Sequence, residues 1–359
     1  MSDKLQEKPD FRQEFRLGLV VYGGVSLAIY MNGVCREFYE AVRGRGIYKL
    51  IKALTDSDII VDVVSGTSAG GVNGVLLSYA LTNSEKTKAV EFKHFADIWR
   101  ESGDINKLLR PVEPFQTPGI NQKVDSVLDG EGYYEGELFK ALQKAKLEPV
   151  ASSDEWFSES SELDLFVTGT DVLGKVSKAF DNTGRVIEVK DHRSVFHLKY
   201  RRDRKDPFSR EPITQRALAK LCRITSCFPV AFPVVCVKLD DDNDPDSKLV
   251  EWGALKNRLL PVQDEVPMEN RANGSRQLYF VDGGVLDNRP FSYTIQEIYY
   301  RTAYRPVERK LFYIDPSPDR FLDSPTYKKM PKPSLLQVMG DSLVGMPRYE
   351  SIANDLRAI

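Results

Sequence analysis

The sequence predicts an α/β fold in which helices flank a mostly parallel central sheet. Short apolar runs rich in β-branched residues recur along the chain, and helical patterns separate them. Strands that are joined through helices lie parallel in one sheet, so this alternation is typical of βαβ units. The runs that predict strands are residues 17–22, 59–64, 163–167, 277–281 and 311–314.

The first predicted strand leads through a glycine turn into a helix. Residues 17–35 carry no charged side chain, which is close to the length of a membrane-spanning helix. Gly23 and Gly24 interrupt this stretch, however, and apolar residues recur at helical spacing from Leu27 onwards. We therefore predict no signal peptide and no transmembrane helix, but a cytoplasmic protein whose contact with membranes is peripheral.

The later elements follow the same alternation. The second strand runs into the sequence GTSAGG and a helix of small and apolar residues, and residues 85–101 show the spacing of an amphipathic helix that leaves His94 exposed. The third and fourth strands are followed by the sequences TGTD and DGG. Ligands of open α/β sheets bind at the carboxyl ends of strands, so these polar segments are candidates for a site.

Composition and charge argue against several function classes. The 50 Lys and Arg residues against 52 Asp and Glu give a net charge of −2, without the basic excess that binding to nucleic acid requires. The four cysteines form no C-x-x-C pair and no cluster with histidine, which argues against a zinc site or a disulfide framework. A local basic cluster at residues 199–205 is either a solvated loop or a contact with anionic lipid headgroups.

The strongest chemical signal is a G-x-S-x-G pattern between the second strand and its helix, with Gly66 and Gly70 on either side of Ser68. The glycines permit a sharp turn that projects the serine hydroxyl above the sheet, and the helix N-terminus favours developing negative charge. The alternative is a glycine-rich turn without catalysis. A phosphate-binding loop is excluded, since Val72 and Asn73 stand where Lys and Ser/Thr would bind phosphate and magnesium.

A serine nucleophile needs a base, and the three histidines make poor candidates. None lies beyond residue 197, whereas the histidine of an α/β-hydrolase triad comes late in the chain, and His192 and His197 both lie among charged residues. Asp282 follows the fourth strand, and Gly283 and Gly284 after it let the carboxylate approach a neighbouring strand end. By itself such an Asp-Gly-Gly can be only a turn.

The third component is the turn after the first strand. Consecutive backbone N–H groups at Gly23, Gly24, Val25 and Ser26 can point at an oxyanion, and the dipole of the helix that follows supports them. A nucleophile, a carboxylate base and an oxyanion site then all fall at carboxyl ends of strands. This chemistry needs no metal and no organic cofactor.

These motifs resemble those of the patatin-like phospholipase family, and the variant GGVSLA resembles a bacterial patatin-related branch. Ser68 matches the family's nucleophile, Asp282 its D-G-G/A motif, and Gly23 and Gly24 its glycine-rich oxyanion motif; residues 225–229 also resemble a family segment. The resemblance implies a three-layer α/β/α fold, a Ser-Asp dyad and lipid ester substrates. One difference is that Val25, Leu27 and Ala28 replace the third glycine, the basic residue and the last glycine of the family's oxyanion motif.

The resemblance also divides the chain. We predict a flexible tail at 1–14, a patatin-like acyl hydrolase domain at 15–321 and a C-terminal helical segment at 322–359. That segment has no glycine C-cap, which favours a further C-terminal domain in a longer protein.

The predicted function is a serine acyl hydrolase that cleaves phospholipid or other lipid esters at a membrane surface, through Ser68 and Asp282. Two alternatives stay open. A non-catalytic lipid- or protein-binding module is favoured by the altered oxyanion motif, and a short-chain carboxylesterase would use the same residues.

Overall fold

The computed structural model describes residues 9–24, 27–110, 126–150, 155–229, 231–240, 244–256, 276–316 and 334. The predicted tail at 1–14 is described only from residue 9, and the predicted segment at 322–359 lies outside the described residues except for Ser334.

The strands are β1 Gln13–Val21, β2 Ser57–Gly66, β3 Lys88–Val90, β4 Leu147–Pro149, β5 Glu162–Phe180, β6 Val186–Arg201, β7 Val235–Lys238, β8 Gln277–Asp282 and β9 Val307–Ile314. The α-helices are α1 Ala28–Arg43, α2 Ile47–Thr55, α3 Ala69–Asn83, α4 Ile105–Leu108, α5 Glu135–Lys144, α6 Pro212–Thr225, α7 Asp246–Trp252 and α8 Phe291–Tyr299.

Seven strands form the central sheet in the order β7–β8–β5–β2–β1–β9, with β6 paired to β5 as well. The strands β9, β1, β2 and β5 run parallel to one another. The strands β6, β8 and β7 are antiparallel to their neighbours, and β3 and β4 form a separate small sheet. The predicted α/β fold is confirmed, and the antiparallel strands on one side of the sheet are an addition to it.

Helices cover both faces of the sheet. Alternate side chains of a strand point to opposite faces, and in β1 Leu19 and Val21 join the main core with residues of α1 and α3. Val20 and Tyr22 point the other way, and the Tyr22 ring packs edge-on against Phe291 of α8 with ring centroids 5.6 Å apart. The architecture is therefore three layers.

The helix predicted at residues 85–101 is wrong. The chain there forms β3, which pairs with β4, then a 3-10 helix at Phe92–Phe95 and a π-helix at Ile98–Ser102. Phe92, Phe95 and Ile98 are buried. Apolar residues at every third position are compatible with 3-10 and π-helices as well as with an α-helix. The spacing therefore could not distinguish these kinds of helix. His94 is exposed, as predicted.

The third strand is longer than its apolar run predicts. The predicted strand ends at residue 167, but β5 continues through the TGTD sequence and then forms a two-stranded ribbon with β6 up to Phe180. The neighbouring strand β6 pairs with β5 through Thr168 and Thr170, so the ladder continues past the apolar run and polar side chains do not end the strand.

Far from the carboxyl end of the parallel strands, Asp164 of β5 lies at the centre of a buried ion network. Its carboxylate accepts from His197 Nε2 at 2.7 Å and from Arg201 Nη2 at 2.8 Å, and it also contacts the Arg301 guanidinium. Burial alone would raise the pKa of Asp164, but the bonds from His197, Arg301 and Arg201 outweigh it and hold the pKa below its ordinary value.

This lowered pKa predicts how stability depends on pH. The contribution of Asp164 to the free energy of unfolding is complete above its unfolded pKa, about 3.9, and is lost as the pH falls below that value. Urea unfolding between about pH 3 and about pH 6 should show this loss, and Asp164→Asn should flatten it. The exposed Asp203→Asn should leave the profile as in the wild type, and a D164N profile parallel to the wild type would contradict the assignment.

Candidate active site

The G-x-S-x-G sequence forms a tight turn between strand and helix. β2 ends at Gly66 and α3 begins at Ala69, and Ser68 between them has φ 54° and ψ −131°. A positive φ is strained for any residue with a side chain, and such strain is common where a side chain is held for function. A strand, a strained serine and a helix in this order are the geometry expected for a nucleophile elbow.

Steric contacts require glycine at both Gly66 and Gly70 of this turn. A Cβ at Gly66 would lie 2.6 Å from the carbonyl oxygen of Gly70, and a Cβ at Gly70 would collide with the carbonyl oxygens of Val21 and Tyr22. The elbow therefore packs directly on the end of β1, where the predicted oxyanion turn begins.

Ser68 and Asp282 are in direct contact. Ser68 Oγ donates to Asp282 Oδ2 at 2.8 Å, and both residues are buried, with exposed fractions of 7% and 3%. The other carboxylate oxygen, Oδ1, accepts from the backbone N–H of Gly284 at 2.7 Å. A Cβ at Gly283 would collide with Thr168, so this position also requires glycine. The carboxylate is thus held with one oxygen fixed and one directed at the serine.

The sheet itself brings these two residues together. β6 occupies one edge of β5, so β2 and β8 share the other edge: β2 pairs with residues 164–167 and β8 with residues 169–171. Because β2 is parallel and β8 antiparallel to β5, their carboxyl ends face each other. Thr168 lies between the two strand ends, where its Oγ1 is 2.6 Å from Thr67 Oγ1.

The segment after α6 contacts both members of the pair. The Thr225 hydroxyl accepts from the backbone N–H of Ser68 at 2.9 Å, and the Cys227 carbonyl accepts from the backbone N–H of Asp282 at 2.8 Å. Sequence patterns alone did not assign these residues a role, because the bonds join parts of the chain about 55 to 160 positions apart. Only the resemblance of residues 225–229 pointed to the segment.

The predicted oxyanion turn is described in part. The Gly23 N–H donates to the Asn288 carbonyl at 3.3 Å, and a Cβ at Gly23 would lie 3.2 Å from Ser68 Cβ, so this backbone runs beside the serine. Gly24 follows it, and α1 begins at Ala28. Val25 and Ser26 lie outside the described residues.

Comparison with known proteins identifies the family of the chain. The family model for patatin-like phospholipases matches residues 19–295, more than half of the chain. The chain belongs to the patatin-like phospholipase family. It is also 28% identical to an uncharacterized membrane protein of Mycobacterium tuberculosis, over 98% of this chain and 33% of that protein. The chain therefore spans about a third of the length of this relative.

Membership of the patatin-like family supports lipid acyl hydrolysis at the level of the family. Among the described residues, no helix has both the length and the apolar character needed to cross a bilayer. The M. tuberculosis relative is itself called a membrane protein.

The side chains of the three histidines in this patatin-like chain lie away from the contact between Ser68 and Asp282. His192 Nδ1 is 2.7 Å from the Asp171 carbonyl, His197 binds Asp164, and His94 is exposed on the surface. None of the three bonds to Ser68 in the described part of the chain, which fits a two-residue arrangement of serine and aspartate.

One described cluster has the composition of a metal site. Ligand atoms of Asp164, His197 and Glu297 lie within 4.8 Å of one another. The Arg301 guanidinium contacts Asp164 directly and lies 3.9 Å from a Glu297 carboxylate oxygen. A cationic side chain therefore already neutralises these carboxylates, and a metal ion would have to displace it.

Proposed function

We propose that this protein is a lipid acyl hydrolase in which Ser68 is the nucleophile and Asp282 the base. The observation that carries the proposal is the 2.8 Å hydrogen bond from Ser68 Oγ to Asp282 Oδ2, made at a strained strand-to-helix turn. Family membership supports the class of substrate.

The proposed reaction has two steps. In the first, Ser68 Oγ attacks the ester carbonyl and its proton passes to Asp282 Oδ2; the proton then goes to the departing alcohol, which leaves an acyl-enzyme. In the second, a water molecule gives a proton to Asp282 and attacks the acyl carbonyl; Asp282 then returns the proton to Ser68 Oγ as the acyl–oxygen bond breaks, which releases the fatty acid and restores both residues. Since Oδ1 is engaged by Gly284, Oδ2 is the oxygen available for proton transfer.

The oxyanion of each tetrahedral intermediate needs backbone donors. The Gly23 N–H already donates to Asn288, so we assign Gly23 to positioning the turn against the serine and propose N–H groups from Gly24 through Val25 and Ser26 as the donors. The N–H of Ala69, the first residue of α3, is a further donor of the kind that nucleophile elbows use. Each donor is worth about 3–4 kcal/mol in the transition state.

The surface around this turn supports a lipid substrate. Leu27, Ile29 and Tyr30, at the start of α1, are large apolar residues that are exposed to solvent. They follow the oxyanion turn directly, at the end of the sheet that carries Ser68. We propose that this apolar surface contacts the membrane from which the lipid ester is drawn, without a span of the bilayer.

A fluorophosphonate probe tests the nucleophile. The wild-type protein should be labelled, mass spectrometry should place the label on Ser68, and Ser68→Ala should not react. Ser209→Ala, at a serine whose hydroxyl donates to Thr214 Oγ1 at 3.0 Å, is the matched control and should label like the wild type.

Two outcomes would change the proposal. Equal labelling of Ser68→Ala and the wild type would remove Ser68 as nucleophile. Liposome binding without release of fatty acid would favour the non-catalytic module, for which Val25, Leu27 and Ala28 are the motivating sequence features. A series of esters of increasing chain length separates a lipase from a short-chain esterase.

A further inference from the structure

The basic cluster at residues 199–205 does not lie beside the proposed catalytic pair. β6 runs antiparallel to β5, and Lys199 is paired with Asp164, five residues before the position of β5 that faces Asp282. At about 3.3 Å per residue this separation is roughly 17 Å along the strand. The cluster therefore serves neither the dyad nor the apolar surface around the oxyanion turn.

The structure instead places part of this cluster in a cavity of its own. Lys199 of β6, Lys205 of the following loop and Lys248 of α7 line a cavity of about 210 Å³, with His197 and Trp252 in its wall. A water molecule occupies about 30 Å³, so the cavity can hold a tetrahedral oxyanion and several waters.

Two of the three ammonium groups in this cavity repel each other. Burial lowers the pKa of Lys248. The ammonium group of the nearby Lys205 lowers this pKa further. Glu251 and Glu211 act in the opposite direction and raise the pKa of Lys248. Within the described part of the chain, no ion pair joins Lys199, Lys205 or Lys248 to a carboxylate.

Two carboxyl groups also line the cavity. The Asp206 carboxylate accepts from the backbone N–H of Phe208 at 2.8 Å, and burial raises the pKa of Asp206. Glu251 is exposed at the rim. The three lysines thus outnumber the two carboxyl groups, and an anion between the ammonium groups would relieve their repulsion.

We propose that this cavity binds a phosphate-type dianion, held by Lys205 and Lys248 with Lys199 at its mouth. Paired ammonium groups form charge-assisted hydrogen bonds to phosphate oxygens, which are the stronger class of hydrogen bond. The dianion is either free phosphate or the phosphate monoester headgroup of a lipid, and the two share this chemistry.

Isothermal titration of the purified full chain with inorganic phosphate tests the site, against sodium chloride at equal ionic strength. Saturable binding is expected, with at least about tenfold weaker affinity in Lys205→Gln and Lys248→Gln, because each variant removes a hydrogen bond to a charged group. Lys93→Gln, at an exposed lysine of the 3-10 helix, is the matched control and should bind like the wild type.

Sedimentation with phosphatidylcholine vesicles that contain phosphatidic acid distinguishes the two sources. Vesicle binding that both lysine variants lose assigns the site to a headgroup, and phosphate binding without vesicle binding assigns it to free phosphate. Absence of saturable phosphate binding, or equal affinity in the variants and the wild type, would overturn the proposal. Ser68→Ala should keep full phosphate binding, so failure of the proposed hydrolase activity would not affect this test.

Discussion

Replacing Asp282 by Asn is expected to lower kcat for ester hydrolysis by about 10²- to 10⁴-fold, the usual contribution of a general base. With its NH2 group in the place of Oδ2, the amide can still hydrogen-bond Ser68 Oγ by donating to it, but it cannot take the serine proton. Its single oxygen, in the place of Oδ1, can still accept from the Gly284 N–H, so the turn after β8 should keep its shape. Initial rates with a fluorogenic ester, together with circular dichroism, measure the effect on activity apart from the fold.

A matched variant makes this test specific. Asp171 is a second buried aspartate of the same region, on β5 opposite Phe280, and its Oδ1 accepts from the Leu173 N–H at 2.9 Å. Asp171→Asn should keep kcat within a few-fold of the wild type, whereas Ser68→Ala should fall to background. Full turnover in Asp282→Asn with loss in Asp171→Asn would move the base to Asp171.

Replacing Lys52 by Ala is expected to lower the free energy of unfolding by about 3–5 kcal/mol, because it leaves a buried carboxylate without its cation. The Lys52 side chain has no exposed surface. Its ammonium donates to the carbonyls of Val42 and Trp156 at 2.8 and 2.9 Å, and to Asp58 Oδ1 at 3.1 Å. Urea unfolding monitored by fluorescence measures the loss.

An exposed lysine provides the control for this effect. Lys140 of α5 pairs with Glu137 at 2.7 Å on the protein surface, and an exposed pair is worth at most about 1 kcal/mol. Lys140→Ala should therefore cost far less than Lys52→Ala. Adding Asp58→Asn to Lys52→Met should recover part of the stability, since no buried charge is then left. Equal losses in the Lys52 and Lys140 variants would contradict a buried role for Lys52.

Helix α2, which carries Lys52, shows where hydrophobic periodicity misleads. Ile47, Leu50, Ile51 and Leu54 recur at helical spacing, a pattern that normally marks the face toward the core. In the structure these four side chains are exposed, and the buried residue of the helix is Lys52. The carbonyl and carboxylate oxygens around the ammonium are supplied by α1, β2 and the segment before β5, so local sequence cannot show that a charged side chain will be satisfied inside.

The sequence alone was sufficient for the elements whose signals are local. Apolar runs predicted β1, β2, β8 and β9 within a few residues of their bounds, and the glycine-flanked Ser68 predicted the strand-to-helix turn. These predictions hold because backbone conformation at such positions depends on nearby residues: β-branched runs favour strands, and only glycine fits at Gly66 and Gly70. The α-helix predicted at residues 85–101 was wrong because the local signal there is ambiguous: the spacing of its apolar residues suits several kinds of helix.

The tertiary structure decided which of these local pieces meet. Sequence patterns nominated Ser68 and Asp282 separately, but their contact exists because β2 and β8 approach end to end along one edge of β5. The same sheet directs the basic residues 199–205 to the opposite end, away from this contact. Strand direction and register arise from pairing across hundreds of positions, a long-range property that no local pattern of residues specifies.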